Sequence, residues 1–138
     1  MNEVERQALA MLLSGEHPVL HVLRGQLAAA AVAKREMTGV GFFTHFEVPT
    51  LAPRLDPPGR MVIGDVYAEI VGLEHDAGFL LFVEEGVIKT LECFIVDYAL
   101  PEPAKIRRIY HVHPATQGSA ELVETPVRDL EWAVKGAR

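Results

Sequence analysis

The chain has 138 residues, of which 49% are hydrophobic and 23% charged, with a formal net charge of −6 and one cysteine. That length suits one domain whose core buries roughly two-thirds of the unfolded surface, and that composition excludes an intrinsically disordered chain. A single cysteine, Cys93, excludes an internal disulfide and points to a reducing cytoplasm. Only Lys105, Arg107 and Arg108 approach the basic cluster that nucleic-acid binding requires.

The acidic start, Met1-Asn2-Glu3-Val4-Glu5, is unlike a secretory signal, and no run of 18 apolar residues predicts a membrane span. Val4, Ala8, Met11 and Leu12 recur at helical spacing, and Ser14-Gly15 supplies a stop. Pro18 suits a first helical position, with Val19, Leu20, Leu23, Leu27 and Ala30 along one face and Arg24 and Gln26 elsewhere, which predicts a second helix running to about Ala30. Both helices need a surface to cover.

From Ala31 the period changes. Residues 32–38 and 40–48 read as two strands joined at Thr38-Gly39. The proline-rich segment from Pro49 to Gly59 has no period and predicts a surface loop. Met61 to Leu73 alternates, with Val62, Gly64, Val66, Ala68 and Ile70 facing one way and Asp65, Tyr67 and Glu69 the other, as a half-buried antiparallel strand does. Phe79 to Glu84 and Val87 to Asp97 predict a hairpin about Glu85-Gly86, apolar on both faces and therefore expected to be covered on both. Lys105 to Val112 reads as a last strand, and Thr125-Pro126 as the cap of a C-terminal helix closed by Lys135-Gly136. The fold class is α+β: a single domain over residues 1–138, with two N-terminal helices on an antiparallel sheet of five to six strands and a short C-terminal helix.

Chemistry is sparse. His111 and His113 would share a strand face, but two ligands do not specify a metal, and ordinary strand-end histidines account for them. His45 and Glu47 would oppose Asp65 and Glu69 as an acid and a base, although a solvated polar face explains them as well. Glu74-His75-Asp76 between glycines reads as an exposed turn. Gly39-Val40-Gly41 lacks the helix start of a phosphate cradle. Ser14 and Ser119 lack a nucleophile's setting, and Cys93 has no basic neighbour to lower its pKa. No catalytic residue, metal or cofactor is predicted.

Charge is the stronger lead. Between Met61 and Ala104, Asp65, Glu69, Glu74, Asp76, Glu84, Glu85, Glu92, Asp97 and Glu102 face Lys89 alone. Asp65, Tyr67 and Glu69 are the predicted binding residues, on an acidic face that would steer a basic protein partner.

The segments Gly15-Glu16-His17-Pro18-Val19-Leu20, Leu23-Arg24-Gly25-Gln26-Leu27, Gly39-Val40-Gly41-Phe42-Phe43, Gly64-Asp65-Val66, Gly78-Phe79-Leu80-Leu81-Phe82-Val83 and Leu91-Glu92 together resemble a set of small bacterial proteins that have no assigned activity. The resemblance implies a bacterial cytoplasmic protein and brings no site residue. In those proteins a Gly-Tyr follows the Leu-Glu pair and a Trp-Pro comes later, where this chain has Cys93-Phe94 and Leu100-Pro101. The expectation is a small non-enzymatic binding or interaction protein, homo-oligomeric or with a protein partner, and without nucleic acid or membrane. An immunity-like protein neutralising a basic toxin is one version; a small hydrolase or ligand-binding enzyme using His45, Glu47, Asp65 or the His111/His113 pair is the alternative.

Overall fold

In the computed structural model, which describes residues 1–135, the chain enters its first helix through a reciprocal cap. The Asn2 side chain accepts from the Glu5 amide at 2.9 Å, and Glu5 accepts from the Asn2 amide at 2.8 Å, so two of the otherwise unpaired N–H groups are satisfied at the start of α1 (Glu3–Leu12). The buried stripe Val4, Ala8, Leu9 and Leu12 is the periodic one. Helix α2 (Pro18–Ala29) starts with His17, whose Nδ1 accepts from the Val19 amide, and with proline where no N–H is needed.

Seven strands follow, one more than the upper count expected: β1 (Ala31–Met37), β2 (Gly41–Glu47), β3 (Met61–Ile70), β4 (Ala77–Glu84), β5 (Val87–Phe94), β6 (Ile106–Pro114) and β7 (Leu122–Thr125). They form one antiparallel sheet in the order β1-β2-β5-β4-β3-β6-β7. The extra strand, β7, has only four residues, too few for alternation to show, and its pairing with β6 defines it. The hydrophobic hairpin β4–β5 sits at the centre, and its turn places Glu85 and Gly86 both at positive φ, as a tight hairpin demands.

A C-terminal helix, α3 (Leu130–Lys135), completes the fold. It starts later than Thr125-Pro126 because Thr125 belongs to β7, and the cap is Asp129, which accepts from the Trp132 amide. Gly136, expected to close the helix, lies outside the described residues. All three helices pack on one face of the sheet, over Ile63, Val66, Phe79, Leu81, Ile88 and Leu91.

Two buried polar side chains, neither expected inside, organise that face. Gln26 lies on the covered side of α2, where its amide donates to the carbonyls of Pro53 and Gly86 and its oxygen accepts from the Ile88 amide. It thereby pins the proline-rich loop to the central hairpin. Asp65, expected on the exposed side of β3, is fully buried on the helix side. Ile63 pairs with Leu81 and Val66 with Phe79, so Gly64 and Asp65 together oppose Leu80 alone. That bulge carries Asp65 to the face of Ile63 and Val66. Arg128 meets it with two bonds of 2.8 Å and also donates to the carbonyls of Leu12 and Ser14 at the end of α1.

Truncating one member of a buried ion pair leaves the other charge uncompensated. Arg128→Ala is expected to lower stability by about 3–5 kcal/mol in urea unfolding, with a much smaller change for an exposed control such as Arg107→Ala. Burial, with Glu92 adjoining, pushes the Cys93 thiol up to about 12, so it holds its proton at neutral pH. Cys93 is expected to resist a thiol reagent in the folded protein and to react at the ordinary rate in denaturant.

Candidate functional site

Because paired residues of an antiparallel sheet share a face, the register gives the side opposite the helices residue by residue. From β2 come Phe43, His45 and Glu47; from β5, Thr90, Glu92 and Phe94; from β4, Leu80 and Phe82; from β3, Val62, Tyr67 and Glu69; and from β6, Arg108, Tyr110 and Val112, of which Val62 and Val112 are buried. Among the described residues no helix packs on this side. Its central side chains, Phe43, Leu80, Phe82, Phe94 and Tyr67, are half-buried, sheltered by one another and open to solvent. The central hairpin is therefore covered by helices on one side only.

The floor is shaped by an aromatic and a glycine. The Phe94 ring lies over Gly78, so close that a Cβ there would sit 2.1 Å from the ring, and Tyr67 meets Phe94 edge-on with centroids 6.1 Å apart. The Phe43 and His45 rings stack at 6.3 Å. Burial pushes the Tyr67 hydroxyl above its ordinary range.

Six carboxylates border or enter the face; Glu47 stands exposed at the end of β2, and four of the other five are engaged. Glu69 and Glu124 both bond Arg108, which lies 4.5 Å over the Tyr110 ring and whose pKa is raised by them. Asp76 accepts the Tyr110 hydroxyl; burial and then this bond raise that phenol's pKa. Glu36 accepts from His45 Nε2 at 2.6 Å, a bond that holds the Glu36 pKa low, while His45 Nδ1 lies 3.0 Å from the Thr90 hydroxyl. Glu92 is the fifth. It faces Phe43 across one strand boundary and Leu80 across the other, and burial raises its pKa.

The predicted binding residues separate. Tyr67 and Glu69 lie on the open face; Asp65 is on the other side of the sheet, held by Arg128. Glu84 and Glu85 belong to the β4–β5 turn, at the far end of β4 from Asp76, where they share a groove with Arg54 and Arg60. The alternative catalytic set also separates. His45 on β2 is three strand spacings, about 14 Å, from β3. Glu47 is exposed at the end of β2, and His111 points to the helix side, where Nε2 contacts the Met11 carbonyl at 2.8 Å. Among the described residues the only cluster spaced for a metal is Glu74, His75 and Asp97; there Asp97 accepts from the Glu74 and His75 amides and so serves the turn.

In the sequence Glu92 is one acid among the nine between Met61 and Ala104, and alternation does not place it on the open face. An unbroken hairpin from Glu84–Val87 sets it opposite Phe79, on the covered side. A register shift between Phe82 and Val83 makes Lys89 the extra residue and brings Glu92 opposite Leu80. An isolated acid between Leu91 and Cys93 was the available signal.

A second concavity, of about 370 Å³, lies on the helix side between the start of α1, Phe42 and the segment Leu100–Ala104. At its base Glu5 is fully buried against Arg35, which donates twice, and the Thr44 hydroxyl. Burial alone would raise the Glu5 carboxyl; the bonds from Arg35, Thr44 and the Asn2 amide outweigh it and hold the pKa down to about 2.

No protein-family model, no curated protein and no solved structure matches the chain.

A depressed carboxyl stabilises the fold in full above its ordinary value of 4.5 and loses that contribution as pH falls toward 2. The stability gap between the native protein and Glu5→Gln is therefore expected to narrow by on the order of 2 kcal/mol between about pH 5 and pH 2, discounted for the half-exposed guanidinium. Parallel urea titrations across that range check the sign.

Proposed function

We propose that the chain is a small binding protein whose open sheet face receives a protein partner carrying basic and apolar side chains. The observation that carries this reading is the combination of an uncovered apolar floor with an acidic surround. Phe43, Leu80, Phe82, Phe94 and Tyr67 form the floor, and the carboxylates Glu36, Glu47, Glu69, Asp76, Glu92 and Glu124 outnumber the bases Lys34 and Arg108 on the face together with Lys89 and Arg107 at the bulges beside it. Apolar area supplies affinity there, and the excess negative charge favours encounter with a cationic surface. A basic toxin met by an immunity-like protein is one partner of that kind.

A second copy of the chain fits this face less well, since two such faces would oppose like charges. The same charge disfavours nucleic acid. The buried lone thiol is in keeping with a cytoplasmic, reducing setting. The hydrolase or ligand-binding reading is weakened by the separation of His45, Glu47, Asp65 and the His111/His113 pair, because acid–base work needs its groups within hydrogen-bond reach of one substrate.

Photo-crosslinking in cells tests the reading. With p-benzoylphenylalanine in place of Phe43, an adduct to a different, basic protein is expected, and the same probe in place of the outward-facing Ala28 on α2 gives none. An adduct of twice the chain's own mass, an acidic partner, or equal labelling from both positions contradicts it.

A further inference from the structure

Resting on the proposed binding face, a finer assignment follows from which of its charges are already used. Arg108 takes up Glu69 and Glu124, His45 takes up Glu36, and Tyr110 donates to Asp76. Glu92 stands apart from these pairs: no hydrogen-bond donor among the described residues reaches its carboxylate, and burial is the one influence acting on its pKa. It also occupies the middle of the face, on the second-innermost strand, with Phe43 opposite on β2, Leu80 opposite on β4, and Thr90 and Phe94 two residues to either side. Those neighbours lie about 5 Å away across the strands and about 7 Å along β5.

A half-buried carboxylate on an apolar floor carries a desolvation cost that nothing within the described chain offsets. A cation brought by a partner would offset it. The flanking groups say which cation. Phe43 and Leu80 stand opposite on the two adjoining strands, and Phe94 and Thr90 lie two residues to either side, so two of the four neighbours of the carboxylate are aromatic and only Thr90 is polar. A guanidinium is planar, stacks on rings and sheds water more readily than an ammonium, while still donating two parallel bonds to one carboxylate. We propose that Glu92, framed by Phe43, Phe94 and Leu80, is the anchoring site for an arginine side chain of the protein partner.

The test uses the intact protein and two short capped peptides, one with arginine between two leucines and one with citrulline replacing the arginine. Binding is followed by amide and carboxyl NMR shifts. Three results support the assignment together: the arginine peptide shifts Glu92, Leu80 and Phe94 and lowers the Glu92 titration midpoint; Glu92→Gln weakens it roughly tenfold; and the citrulline peptide binds the native protein and Glu92→Gln alike. Glu92→Gln keeps size and shape at a half-exposed position, so it is expected to fold. If both peptides shift the open face equally and Glu92→Gln changes neither, the face binds apolar segments and the arginine assignment is wrong. If neither peptide perturbs the open face, the binding-face reading falls with it.

Discussion

The buried pair between Asp65 and Arg128 is the contact on which the arrangement of this protein turns. Its two residues come from a bulge in the sheet and from the segment before the last helix, and the guanidinium also takes the carbonyls of Leu12 and Ser14 at the buried C-terminal end of α1. One side chain thus neutralises a charge in the interior, satisfies carbonyls that a helix end leaves unpaired, and joins both ends of the chain to the sheet. Both side chains are almost wholly buried, so neither member is dispensable on its own. Gln26 does comparable work at the other end of the sheet, where the proline-rich loop meets the β4–β5 turn.

With α1, α2 and α3 drawn to one side, the sheet has unequal faces. The helix side is a closed core in which Phe79, Leu81 and Val83 of the central hairpin are fully buried. Leu80 and Phe82, between them in sequence, point to the other side, where both are half-buried beside their strand neighbours. Charge follows the same division. Asp65 and Glu5 are each buried with an arginine on the helix side, whereas the open face keeps a surplus of carboxylates around its apolar floor. A surface both apolar and acidic suits association with a cationic protein better than exposure to water alone.

Most elements of the fold are legible in the chain because their periods are strong. The stripes of α1 and α2 and the central hairpin can be read directly, and Glu85-Gly86 marks its own turn. What alternation cannot show is a bulge, since one extra residue reverses the faces beyond it. Asp65, Lys89 and Arg107 lie at such points, and the first two decide that Asp65 is inside and Glu92 outside. Gln26 reads as a surface residue because its partners are backbone groups of distant loops. Strand β7 is too short to carry a period, and Asp129 rather than Thr125 caps α3 because Thr125 is taken by the sheet. For the candidate site, Tyr67 and Glu69 could be read from sequence, while Glu92 depends on register.

The account stands or falls on the one-sided covering of the sheet, and oxidative footprinting of the free protein measures it directly. Six phenylalanines report on it: Phe43, Phe82 and Phe94 from the open face, and Phe42, Phe46 and Phe79 from the core. The account predicts that hydroxyl radicals modify the first three several-fold faster than the second three. Equal protection of both sets, or faster modification of the core set, would contradict it.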